Sequence, residues 1–123
     1  MDFKLSTTNL GNSTFCVAIG GEATLVTAPE LRDALAEVLD AGARAVLVDF
    51  SGATFIDSTA LGVLMGTMKN LRAVGGELAL VCADVNIRRV FEMTLLDRIF
   101  AIFDTTDAGL AHVQGLGRQV SPA

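Results

Sequence analysis

The chain has 123 residues, enough for one domain with its own hydrophobic core. Apolar residues make up 51% against 19% charged, and mean hydropathy is +0.52, so the chain either buries its apolar surface very well or keeps part of it for a partner. A formal net charge of −5 without a Lys/Arg cluster argues against a nucleic-acid surface, and no apolar run reaches the roughly 18 residues that cross a bilayer.

The start, Met1-Asp2-Phe3-Lys4, lacks the basic-then-apolar layout of a signal peptide, so the expected location is the cytoplasm. Residues 3–8 and 14–20 read as strands, with Gly11-Asn12 as a hairpin-like turn between them. Thr27-Ala28-Pro29-Glu30 reads as a capping box at a helix start. Leu31, Ala34, Leu35, Val38 and Leu39 then follow at the spacing of one helix face, and Gly42 is a natural stop. Ala45-Val46-Leu47-Val48 is a short continuous apolar run, as expected of a parallel strand covered on both faces. Residues 49–57 read as a loop, and a second helix is expected from Ser58 to Val74, ending at Gly75-Gly76. Residues 77–83 read as a strand. Asp84 caps a third helix to about Leu95, residues 99–103 form the last strand, and a short helix begins near Thr105. Residues 115–123, small and polar, read as a flexible tail after a domain spanning residues 1–114.

Strand and helix alternating in this way predict an α/β fold with a mainly parallel sheet of four or five strands and an antiparallel N-terminal edge. The two cysteines, Cys16 and Cys82, each lie in an apolar run and read as buried thiols rather than as a disulfide or redox pair. His112 is the only histidine, so no metal site and no cofactor are expected.

The second helix carries the functional signal. At 100° per residue, Leu61, Leu64, Met65, Met68 and Leu71 share the core face. Thr59, Gly62, Val63, Gly66, Asn70 and Ala73 lie opposite, with Lys69 and Arg72 toward the edges. A solvated helix face ordinarily carries Glu, Lys and Gln, as the first helix does with Arg32, Asp33, Glu37 and Asp40. Two interior glycines cost about 1 kcal/mol each relative to alanine. Either close packing within the chain or a partner lying over a smooth, uncharged surface would offset that cost, and the second is the expectation. The docking residues are then Asp57, Ser58, Thr59, Gly62, Val63, Gly66, Lys69 and Asn70.

Asp57 and Ser58 are both good helix caps. A serine hydroxyl at a helix start is also open to phosphorylation, where the phosphate gains from the free N–H groups and the helix dipole. It would add about −1.5 to −2 charge at the rim of the docking face. Modification of Ser58 would therefore leave the fold intact and break the docking.

The block from Val46 to Leu64, VLVDFSGATFIDSTALGVL, resembles the signature of STAS domains, and within them of bacterial anti-sigma factor antagonists. Gly21-Glu22, Thr27 to Arg32, Gly75 to Leu78 and Leu96 to Phe100 match as well. The resemblance implies a βα superhelix with helices mostly on one side of the sheet. It also implies partner switching. The unphosphorylated antagonist binds an anti-sigma factor, a serine kinase with a histidine-kinase-like ATPase fold, and frees the sigma factor. The kinase phosphorylates the serine that aligns with Ser58, the pair separates, and a metal-dependent Ser/Thr phosphatase resets the switch. Two positions depart from the pattern: Thr24 stands where the family often has an acidic residue, and Ala60 where it often has glycine.

Rival readings are weaker. Asp49 after an apolar strand resembles a phosphoacceptor aspartate, but the early acidic pair and late lysine of such receivers are missing. Ser58 has no G-x-S-x-G turn and His112 lies in the terminal helix, so the expectation is a binding protein and not an enzyme. No phosphate-cradling Gly-rich motif supports ligand sensing. A STAS scaffold or transporter-associated subunit that docks without switching is the alternative function.

Overall fold

The computed structural model describes residues 3–120, with side chains to residue 114. Strands β1 (Lys4–Gly11) and β2 (Thr14–Ala23) form an antiparallel hairpin. Its turn lies at Asn12 and Ser13, both in the left-handed region (φ 54° and 59°), one residue later than the sequence suggests. Helix α1 (Ala28–Asp40) leads to β3 (Ala45–Ile56), α2 (Ser58–Ala73) to β4 (Glu77–Val81), and α3 (Val85–Met93) with a 3₁₀ turn to β5 (Ala101–Phe103). Helix α4 (Thr106–Val120) closes the chain. The sheet order is β1-β2-β3-β4-β5, parallel from β2 onward.

Side chains alternate between the two faces of each strand, and the core follows that alternation. Val46, Val48 and Phe50 join Leu31, Leu35, Leu64, Leu71 and Phe91 beneath α1, α2 and α3. Ala45, Leu47 and Ala79 face the other way and pack on Val113 of α4. Three helices thus cover one face of the sheet and one covers the other. Phe91 anchors the larger core edge-on between Phe50 and Phe100, with ring centroids 5.8 and 6.2 Å away. Full burial of a side chain of this size contributes about 1.5–3 kcal/mol.

Four expectations change. Residues 49–56 are strand and not loop, because β3 continues along β2 through register shifts opposite Ala18–Gly20 and Gly21–Glu22. Ser51 and Gly52 give that stretch its loop-like composition, yet Gly52 has a reason to lack a side chain: a Cβ there would lie 3.3 Å from the Ile19 carbonyl oxygen and 3.4 Å from Gly20 Cα. Thr27 does not cap α1 through its side chain. Its hydroxyl donates to the Glu22 carbonyl (2.9 Å) and accepts from the Thr24 N–H (2.8 Å), which fixes the turn before the helix instead. Helix α3 stops at Met93, since Leu95 takes a left-handed conformation (φ 63°). The terminal helix is longer than expected: α4 runs to Val120 and takes in residues 115–120 of the expected tail, while 121–123 lie outside the described residues.

Candidate functional site: the start and outer face of α2

Asp57 organises the site. It sits in extended backbone conformation just before α2, and its Oδ1 accepts from the Thr59 N–H (2.9 Å) and the Ala60 N–H (3.1 Å). These are donors that a helix start leaves without intrahelical partners. The other oxygen, Oδ2, accepts from the Leu25 N–H at 2.8 Å, in the β2–α1 loop. One carboxylate therefore ties the start of α2 to a loop 32 residues earlier. With Asp57 as the cap, Ser58 is released from that duty and lies exposed in the first helical turn.

The loop is tightly turned. Thr24 Oγ1 accepts from the Val26 N–H (3.2 Å), and the Thr24 carbonyl accepts from the N–H groups of Thr27 and Ala28. Thr24 thus belongs to the loop that Asp57 holds, beside the start of α2. At the loop's tip Leu25 is 68% and Val26 83% exposed, and Phe55 at the end of β3 is 50% exposed. Sequence reasoning passed over these three apolar residues, since nothing in their spacing shows that they face outward.

The outer face of α2 is open. A Cβ on Gly62 or on Gly66 would meet no atom of the rest of the chain within 4 Å. Packing within the chain therefore does not account for either glycine. A groove of about 310 Å³ runs between this face and α1. Arg32 lines it from α1, and Thr59, Gly62, Gly66 and Asn70 line it from α2. Two further lining residues, Val63 and Thr67, are buried. Val63, only 7% exposed, packs into the main core on the flank that turns toward α1, so it forms part of the groove's floor and not of the open face. The Thr67 hydroxyl is satisfied by the Val63 carbonyl at 2.9 Å. Of the other expected docking residues, Gly62, Gly66, Lys69 and Asn70 are exposed and Asp57 and Thr59 are half-buried. Arg32 and Thr67 were missed. The charge on Arg32 marked it only as part of a solvated face.

The remaining candidates lie elsewhere. Asp49 Oδ1 accepts from both the N–H and the hydroxyl of Ser51 (2.9 and 2.6 Å), so it orients the irregular part of β3. Both cysteines are free thiols. Burial pushes the Cys16 thiol up, with the Asp49 carboxylate adding to it. Burial likewise raises the Cys82 thiol, helped by Asp84 and Asp104 and opposed by a backbone hydrogen bond and Arg88. His112 packs on Phe103 with centroids 5.0 Å apart. Among the described residues no group of three or more His, Cys, Asp or Glu side chains could hold a metal ion, and no helix is long and apolar enough to cross a membrane.

This arrangement coincides with a clear family assignment. The STAS domain profile matches residues 7–109, and the chain belongs to the STAS domain family. A curated Staphylococcus aureus protein named anti-sigma-B factor antagonist is 33% identical over 91 residues, covering 74% of this chain and 84% of that one. The crystal structure of an anti-sigma factor antagonist from Mycobacterium paratuberculosis superposes with a TM-score of 0.84 at 26% identity, over 92% of this chain and 95% of that one. SpoIIAA, an anti-sigma factor antagonist solved in its unphosphorylated form, shares the fold with a TM-score of 0.72 at 21% identity, over 91% and 99% of the two chains.

Proposed function

We propose that this chain is a cytoplasmic anti-sigma factor antagonist that acts by binding and not by catalysis. Its unphosphorylated form docks an anti-sigma factor over α2 and so releases a sigma factor. The observation that carries the reading is the outer face of α2, where two glycines sit in open space beside an exposed Ser58. A helix gives up about 1 kcal/mol for each interior glycine, and a partner backbone that needs the room is a sufficient reason to keep them. The names of the relatives point to the same class of protein.

The switch lies at Ser58. The anti-sigma factor, as a serine kinase with a histidine-kinase-like ATPase fold, transfers the γ-phosphoryl of Mg-ATP to the Ser58 hydroxyl, which loses its proton as ADP leaves. Asp57 already occupies the N–H groups of Thr59 and Ala60, so the new phosphate stays on the surface beside a carboxylate. Like charge and bulk then lie at the rim of the docking face, and the pair separates. A Ser/Thr phosphatase hydrolyses the phosphoserine and restores docking.

Intact-protein mass spectrometry tests this. Each purified histidine-kinase-like protein of the source organism is incubated with the chain and Mg-ATP. A gain of one phosphate, absent in Ser58→Ala, is the expected result. Labelling that survives in Ser58→Ala would move the acceptor, first to Thr59. A stable complex without any phosphate gain would replace the switch with a constitutive STAS scaffold.

A further inference from the structure

We infer that the groove between α1 and α2 receives a carboxylate-bearing segment of the anti-sigma factor, with Arg32 as its counter-charge. The inference rests on the docking face proposed above and names the chemistry of its occupant. Among the described residues seven line the groove, and the only charged one of these is Arg32. The ion pairs among the described residues are Arg72–Glu77 and Arg88–Asp104, so Arg32 enters the interface without an internal counter-ion. Helix α2 contains no acidic residue, and the spacing of Lys69 puts a second cation on the opposite flank of the glycine strip. In a chain of net charge −5 this strip is a local exception.

Docking over Gly62 and Gly66 would strip water from the Arg32 guanidinium. A desolvated guanidinium without a carboxylate is strongly unfavourable, whereas a paired one fixes register and accelerates encounter. An occupant that fits the groove therefore brings its own Asp or Glu. The anti-sigma factor is favoured over a second copy because the groove begins at Thr59, next to the Ser58 hydroxyl that the kinase must reach.

Isothermal titration calorimetry with the kinase identified by the phosphotransfer assay tests the inference. Arg32→Glu should weaken binding about tenfold or more, Arg32→Lys should hold it within about threefold, and the salt dependence seen with wild type should flatten in Arg32→Glu. Far-UV circular dichroism should superpose for all three, since Arg32 is exposed. If Arg32→Glu binds like wild type while Gly66→Arg does not bind, docking occurs without this charge and the inference alone fails. If Gly66→Arg also binds normally, or no kinase binds wild type, the docking face itself is wrong. If sedimentation shows that wild type self-associates and Arg32→Glu abolishes this, a second copy is the occupant and the inference is overturned.

Discussion

Helices α1 and α2 lie side by side on the same face of the sheet and bury similar leucines, yet their outer surfaces differ completely. α1 exposes Arg32, Asp33, Glu37 and Asp40, while α2 exposes Gly62, Gly66 and Asn70 with its own cations on one flank only. Their starts differ as well. α2 is capped by a carboxylate, whereas the side chain of Thr27 leaves α1 uncapped and serves the preceding turn. The core demands the same of both helices, so the difference reflects what each meets on its other side. α1 meets mainly water. On the docking proposed above, α2 meets a protein surface.

The largest effect that would break this contrast comes from Gly66→Arg. The added side chain has open space in the free chain, so the melting temperature should change by only a few degrees, while affinity for the anti-sigma factor should fall by about a hundredfold or more. Glu37→Arg, a larger change of charge on α1, should leave that affinity nearly unchanged. Equal losses from the two variants would erase the distinction between the helices.

Ser58→Glu should come next. It places a carboxylate in the first turn of α2, where the helix dipole tolerates it, so the fold should persist while binding drops at least tenfold by calorimetry. Asp57→Ala should cost about 1–2 kcal/mol in urea unfolding, because the α2 cap and the tie to Leu25 are lost together. The double substitution Gly62→Ala and Gly66→Ala should stabilise the free chain by about 1–2 kcal/mol, since neither new methyl group meets another part of the chain. Unchanged or reduced stability would show that the glycines are needed within the fold.

The smallest effect concerns the cysteines. Both thiols are raised by burial, so native labelling should stay far slower than in denaturant at neutral pH. A group raised in the folded state contributes stability that is present below its unfolded pKa. That contribution should be lost progressively as pH climbs from the ordinary thiol value through the raised folded one.

Much of the fold was legible because local periodicity and turn chemistry agreed with it. Leu31, Leu35 and Val38 mark the buried face of α1, and Asp84 caps α3 through the N–H groups of Asn86 and Ile87. The failures came where distant neighbours decide. The second half of β3 is strand because β2 lies alongside it, and Ser51-Gly52 carry no sign of that pairing. Helical periodicity separates the inner from the outer side of α2 but does not show which flank faces α1, so spacing alone puts Val63 in the open. Ser58, Asp57 and the two glycines were legible from helix physics alone. Leu25, Val26 and Phe55 were not, because exposure of an apolar side chain leaves no mark in sequence spacing.

The two oxygens of Asp57 have a kinetic consequence. They join the apolar tip at Leu25 and Val26 to the first turn of α2, so that one side chain holds both elements. A partner docking as proposed above would then meet one tethered patch and not two independent ones, with fewer orientations to sample before it seats.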